Sequence, residues 1–202
     1  MSVLTQGNYL ADWLVEEFGA PNYCRAEKVA IVDANMPSGM CLGVHTLTPA
    51  LYPYNDSAPA AVTGININAL LAHDPMLVTS ITDVTNTSTI VTPGHHGLIV
   101  GDIVKITGAT VAVALNGFYA VATAADEHTF TVTTSGVADA AYTEATLRVT
   151  KVNQPATVLV RGPAVISAGG LSWAAACGPT EIAAGIVDIK ALSPAITVLE
   201  GV

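Results

Sequence analysis

Thr87 to Thr107 reads TSTIVTPGHHGLIVGDIVKIT. Apolar residues alternate with threonine or charge in TSTIVT and again in DIVKIT, and the pattern returns in HTFTVTT, His128 to Thr134. Alternation with period two puts one face of a strand against a core and the other toward water. The β-branched residues that dominate these runs fit such a pleated, half-buried surface. Pro93-Gly94 and Gly97 punctuate the chain between the first two runs, so this stretch reads as strand, turn, strand. His95 and His96 sit in that turn. Neighbouring strand residues point to opposite faces, which is a poor arrangement for chelating one metal. No second group of His, Cys or Glu lies at ligand spacing nearby. Asp102 follows Gly101 and reads as a turn residue that starts the strand IVKIT. The histidines are therefore read as parts of a turn, not as a metal site or a catalytic base.

Outward from this stretch, threonine stays frequent from about Asp74 to Lys151, and apolar runs recur with Gly, Asn or Asp turns between them. Short, evenly spaced runs of this kind describe a small antiparallel β-barrel or sandwich. The flanks differ. KVAIVDANMPSGMCLGVH reads as strand, turn, strand around Pro37-Ser38-Gly39. Tyr52 to Asp56 reads as an exposed connection, and Ala61 to Leu71 resumes the apolar pattern. ATVLVRGPAVISAGGLSW and the terminal PAITVLEGV read as further strands. In the N-terminal stretch, Leu10, Trp13, Leu14 and Phe18 fall at helical spacing before Gly19-Ala20-Pro21 ends any helix. This aromatic-rich segment fits either a short helix on its own domain or an arm that docks on a partner.

The chain is thus expected to be all-β and in three parts. Residues 1–28 form an arm. Residues 29–75 and 152–202 form a discontinuous β core, a small barrel. Residues 76–151 form an inserted Thr-rich module, because insertion is tolerated where chain ends lie close in a surface loop.

Composition bounds the function. The 202 residues are 51% apolar and 11% charged, so the chain is able to bury a sizeable core. No apolar run approaches the roughly 20 residues of a membrane-spanning helix. The net charge of −9 argues against direct nucleic-acid binding. The start MSVLTQGNYLADWL has neither the basic nor the apolar region of a signal peptide. Cys24, Cys41 and Cys177 are far apart and odd in number, and read as free, largely buried thiols. SAGGLSW is no nucleophile elbow, and no phosphate-binding loop occurs. Glu16-Glu17 and Asp126-Glu127 read as solvated surface. Arg161 lies in an apolar stretch read as a strand, where a cation needs an acidic partner. No combination of residues suggests an enzyme, a cofactor or a metal.

Two resemblances add to this reading. From Val78 to Arg148 the chain resembles a small β module common in tailed-phage structural proteins. It shares that module's His-Gly turn (His96-Gly97-Leu98), a Gly-Asp strand start (Gly101-Asp102), a Leu-Asn-Gly-x-Tyr turn (Leu115 to Tyr119, with Asn116 and Gly117) and a Thr-Phe-Thr strand (Thr129 to Thr131). The flanking pieces resemble head decoration proteins of the lambda-like class from tailed bacteriophages. The matching motifs are Asp12-Trp13-Leu14, the segment Tyr23 to Glu27, Gly39 to Gly43, Val62 to Ile65, the strand Leu159 to Ala164, and Leu171 to Trp173. The match departs in carrying the inserted module and in a tail after Trp173 that keeps at most a short helix.

The second resemblance implies a β-tulip-like decoration core and a homotrimeric cement protein. Such a protein is made in the host bacterial cytoplasm and bound to the outer surface of the expanded capsid. Its partner is the major capsid protein, and Tyr9, Leu10, Trp13, Leu14, Phe18 and Tyr23 are the arm's anchors. Arg161, Pro163, Leu171 and Trp173 are candidates for the core or the trimer interface. The inserted module then braces neighbouring trimers or makes a weak glycan contact. The alternative is a carbohydrate- or surface-binding module of a phage fibre or adhesin, which requires exposed aromatic platforms among Phe118, Tyr119, Phe130 and Tyr142.

Overall fold

The computed structural model describes residues 14–17, 24–45, 50–55 and 61–199. The chain divides into two units, residues 1–71 with 154–202 and residues 72–153. Both are built mainly of strands, and one α-helix is present among the described residues.

In the first unit, β2 (Arg25–Ile31), β3 (Cys41–Val44), β4 (Leu51–Pro53), β5 (Gly64–Asn66) and β14 (Asn153–Leu159) close a barrel in the order β14-β2-β4-β3-β5. The pairing is antiparallel between β3 and β4, β3 and β5, and β14 and β5, and parallel between β2 and β4. Closure removes the open edges that a short sheet would leave. The reversal before β3 uses Gly39 at φ 79°, a left-handed conformation that suits glycine. A second sheet has the order β1-β15-β16, from Leu14–Glu17, Ala164–Ser167 and Ile196–Leu199.

Helix α1 (Pro179–Leu192) completes this unit. Its first turn is stabilised locally: Pro179 occupies the start, where its missing N–H costs nothing, and the Glu181 carboxylate accepts from Gly178 N at 2.9 Å. Ile65, Leu159, Ile166, Leu171, Ile189 and Ile196 form much of the core, so barrel, small sheet and helix share one apolar interior. The chain leaves this unit and returns to it side by side, since Gln154 Nε2 donates to the Leu71 carbonyl at 2.6 Å.

The second unit is a curled, eight-stranded antiparallel sheet. Its strands are β6 (Met76–Leu77), β7 (Ser80–Val84), β8 (Thr87–Val91), β9 (Ile103–Thr107), β10 (Gly117–Ala124), β11 (Thr129–Thr133), β12 (Ala140–Tyr142) and β13 (Arg148–Lys151). They run in the order β12-β7-β8-β11-β10-β9-β13-β6. Alternation works as the chemistry demands. In β8, Ser88 and Ile90 are buried between more exposed neighbours, and in β11 the buried pair is Phe130 and Val132. β7 and β8 are joined by two residues, Thr85 (φ 50°) and Asn86 (φ 62°). Two successive positive φ values mark the primed turn whose twist matches a hairpin.

Four expectations are corrected. Leu14–Glu17 is a strand antiparallel to β15, not a helix, although its apolar spacing is helical. The partner strand lies far along the chain, and tertiary pairing overrides local spacing. Tyr52 and Pro53 belong to β4 instead of an exposed connection, and Tyr54 is fully buried. Its hydroxyl donates to the Glu181 carbonyl of α1 at 3.2 Å, which joins barrel to helix. The tail holds a helix of 14 residues, longer than the short one expected. Arg161 is exposed in a bend after β14, outside any strand, so the premise that it sits in an apolar strand fails.

Candidate functional site

The histidine turn is a built structure. His96 is buried. Its Nδ1 accepts from Leu98 N at 2.9 Å, and its Nε2 lies 2.9 Å from the Asp126 carbonyl, to which it donates. These two bonds define a neutral ring with the proton on Nε2. The ring also meets Phe130 edge-on at 5.3 Å. Gly97 (φ 59°) and Gly101 (φ 90°) supply left-handed positions on either side of the turn. His95 points elsewhere: it is exposed, with its Nε2 3.6 Å from the Glu127 carboxylate. A ring whose two nitrogens are both committed to backbone groups has no lone pair to offer a metal or a substrate.

Asp102 is buried and closes the same turn, its Oδ2 accepting from Ile99 N at 2.9 Å. Lys151 Nζ donates to Oδ2 at 2.8 Å and Asn153 Nδ2 to Oδ1 at 3.2 Å. Burial by itself raises the Asp102 pKa. The bonds from Lys151, Ile99 and Asn153, with the Lys151 charge, outweigh burial and hold it below the ordinary carboxylate value. Asn116 is similarly structural: its side chain exchanges two hydrogen bonds with the Ala109 backbone at 3.0 and 2.9 Å. Gly117 begins β10.

In the first unit, Leu14 is half-buried against the core. Leu171 is buried, and Trp173 packs edge-on to Tyr54 at 6.0 Å. The Pro163 carbonyl accepts from the Cys24 thiol at 3.3 Å. Tyr9, Leu10, Trp13, Phe18 and Tyr23 lie outside the described residues. Of the aromatic candidates in the second unit, Phe130 and Tyr142 are buried, and Phe118 and Tyr119 are half-buried. Lys105 Nζ stands 5.3 Å from the centre of the Phe118 ring.

The structure also assembles groups that sequence reading missed. Asp83 is buried, and its Oδ1 accepts from Ser88 Oγ at 2.5 Å and Thr134 Oγ1 at 2.6 Å, while its Oδ2 has no hydrogen-bond partner among the described residues. Glu144 accepts from Thr110 N at 2.6 Å and from Thr110 Oγ1 at 2.5 Å, and these bonds lower its pKa. In the barrel unit, Tyr52 donates to Asp33 Oδ2 at 3.1 Å and meets His45 edge-on at 5.3 Å. Burial, then the Asp33 charge, pushes the Tyr52 pKa up to about 12, and burial lowers that of His45. A tyrosine this hard to ionise is an anchor rather than a base. Burial likewise raises the Cys41 thiol, which reduces its nucleophilic form. Among the described residues, no three His, Cys, Asp or Glu side chains converge as metal ligands.

A groove of about 400 Å³ opens on the barrel, lined by residues that include Lys28, Val29, Val44, Leu51 and Arg161. Its lining combines apolar side chains with the charges of Lys28 and Arg161. Of its lining residues the sequence offered Arg161 alone as a candidate site residue, because the groove exists only once the barrel closes.

No family model matches the chain, and no curated protein matches it. Among solved structures, the phage phi92 endosialidase is similar at 18% identity with a TM-score of 0.33. That match covers 68% of this chain and 21% of the other, so the chain spans about a fifth of that protein's length. A likeness at this score carries no weight in the functional reading.

Proposed function

We propose that this chain is a decoration protein of a tailed-phage head. In this reading it binds the outer surface of the expanded capsid as a homotrimer and holds neighbouring coat subunits together against packaged DNA. The observation that carries the reading is the convergence of the decoration-like motifs. Gly39 to Gly43, Val62 to Ile65 and Leu159 to Ala164 are far apart in sequence, yet they fall on or beside β3, β5 and β14. Those strands are adjacent in the barrel: Cys41 pairs with Ile65, and Ile65 with Leu159. That the motifs lie together on neighbouring strands supports the reading.

The physics of a cement protein is linkage. A protein that binds the assembled lattice and not the free coat subunit stabilises the lattice by that difference alone. Trimerisation makes the second and third contacts effectively intramolecular, so weak individual contacts suffice. The N-terminal segment supplies the anchors, Tyr9, Leu10, Trp13, Leu14, Phe18 and Tyr23, with aromatic side chains of the kind that dominate interface energies. The inserted unit acts as a brace between trimers or a weak glycan contact.

The test is binding of the purified chain to expanded and unexpanded heads that lack it. A second protein lacks residues 1–13, which leaves the β1–β15 pairing in place. The reading expects saturable binding to expanded heads only, weakened by the truncation. Absence of binding to either form of head overturns it.

A further inference from the structure

The three cysteines are far apart in sequence, and the fold brings them onto one core. Cys24 and Cys41 belong to the apolar cluster of the first unit, and Cys177 packs against that cluster. Two of the three share Tyr54 as a neighbour. The Cys41 carbonyl accepts from Tyr54 N at 2.9 Å. The Cys177 thiol donates to the Tyr54 carbonyl at 3.1 Å. The two cysteines therefore hold the two ends of one residue's main chain. Further bonds join the same segments: Cys41 N donates to the Ser172 carbonyl at 3.0 Å, and Ser172 N to the Gly39 carbonyl at 2.9 Å. From Ser172 the chain passes Trp173, which packs on the Tyr54 ring, and then turns, with Cys177 N donating to the Ala174 carbonyl at 2.9 Å. Residues 172–177 thus run from beside Cys41 around Tyr54, and Cys177 ends on the far side of the residue that Cys41 holds.

The pair is unequal, and the inequality sets an order of reaction. Cys41 is buried, and Cys177 is half-buried. Cys41 is fixed in β3, where it pairs with Ile65 of β5. Cys177 lies in the turn ahead of α1, outside helix and strand, so its side chain has the greater freedom to approach. Burial raises the Cys41 pKa, and the nearby Cys177 thiol raises it further. A buried thiol that ionises with difficulty is a poor first nucleophile, so attack on an oxidant begins at Cys177. Proximity then supplies the high effective concentration that a second, internal attack needs. Cys24 is buried too, but its thiol is directed at the Pro163 carbonyl at 3.3 Å, which belongs to neither of these segments.

We infer that Cys41 and Cys177 are an oxidisable pair, which forms a disulfide on meeting a small-molecule disulfide and so locks the start of α1 to β3. Oxidised glutathione serves as the oxidant. The Cys177 thiolate attacks one of its sulfurs, a mixed protein–glutathione disulfide forms, and one glutathione thiolate leaves. The Cys41 thiolate then attacks the Cys177 sulfur, and the second glutathione thiolate leaves. Two protein thiols are oxidised, one glutathione disulfide is reduced to two thiols, and the protons given up by the cysteines pass through water to the departing thiolates. The new bond closes a loop that runs from β3 to the start of α1 and contains the whole second unit. Cross-links across long loops restrict the unfolded chain most, so oxidation stabilises the first unit. The lock goes beyond the capsid reading and does not depend on it.

The experiment incubates the reduced, folded, full-length chain with oxidised glutathione, alkylates it, and maps it by mass spectrometry without reduction. The wild type loses two of its three thiols and two hydrogens of mass, with Cys41 and Cys177 in one linked peptide pair. Its melting temperature rises by about 10 °C and returns on addition of dithiothreitol. Cys24→Ala behaves as the wild type. Cys41→Ala halts with one glutathione on Cys177, and Cys177→Ala takes up none at Cys41. Circular dichroism before oxidation shows which variants fold, and the wild-type map decides without them. A link through Cys24, a wild type that stops at the mixed disulfide, no oxidation, a link that forms only in urea, or a link that leaves the melting temperature unchanged overturns the inference. Failure of the chain to bind heads leaves this result unaffected, so the two readings fail separately.

Discussion

Gly185 lies on the buried face of α1, where the helix meets the barrel, and Gly185→Ala sets two effects against each other. In an open helix, alanine is favoured over glycine by about 1 kcal/mol, because glycine loses more backbone freedom on folding. Here a Cβ would fall 2.5 Å from Cζ3 and 2.9 Å from Cη2 of Trp173, and 3.0 Å from Cε1 of Tyr54. Ordinary carbon contacts are about 3.5–4.0 Å, so two rings must shift by several tenths of an ångström or more. Tyr54 is fully buried and tied to the Glu181 carbonyl, which leaves Trp173 to move. Overpacking of this kind costs about 1–3 kcal/mol. The net expectation is a loss of about 1 kcal/mol, a fall of ~3–6 °C in the melting temperature of the barrel unit. Far-UV circular dichroism follows the melt. In a Trp173→Leu background the two closest contacts are gone and only Tyr54 Cε1 stays near, so the same substitution should cost less or turn stabilising relative to that background. A higher melting temperature for Gly185→Ala in the native background, or the same change in both backgrounds, would refute the seating of α1 on Trp173 and Tyr54.

Three further outcomes are expected. Thr85 is a β-branched residue at positive φ, so Thr85→Asn should raise the stability of the second unit by ~1 kcal/mol in urea unfolding. His96→Ala removes two hydrogen bonds and the Phe130 contact, and should lower it by about 2–3 kcal/mol with Leu98 N left unpaired. Asp102 has a depressed folded-state pKa, so its contribution is fully present above the ordinary carboxylate value of about 4 and is lost as pH falls through the folded value. Wild type and Asp102→Asn should therefore differ by a constant amount near neutrality and converge below about pH 4. Lys151→Met should shrink that convergence, as pH-dependent unfolding curves would show.

The second unit was the legible part, and the reason is local. Alternation in Thr87–Val91, Ile103–Thr107 and Thr129–Thr133 marks strands without reference to any partner, and Gly97 and Gly101 mark the turn. The first unit hides its organisation. β1 is four residues long and gains its conformation from β15, more than a hundred residues away, so its own spacing misleads. Tyr54 stands among turn-forming residues and is buried only because α1 lies over it. The start of α1 did carry a signal, Pro179 followed by Glu181, which the alanine-rich tail obscured. Around Asp102 the turn itself was readable, but its partners Lys151 and Asn153 come from the far end of the unit. Arg161 drew notice as a rare cation, but the groove it borders is lined from distant parts of the chain and has no linear signature.

Cementing a head is a mechanical task, and it is read most directly in the temperature at which DNA-filled expanded heads release their DNA, with and without this chain at saturation. The cement reading predicts a higher release temperature that rises with occupancy and levels off when the sites are full. Saturable binding that leaves the release temperature unchanged would contradict it.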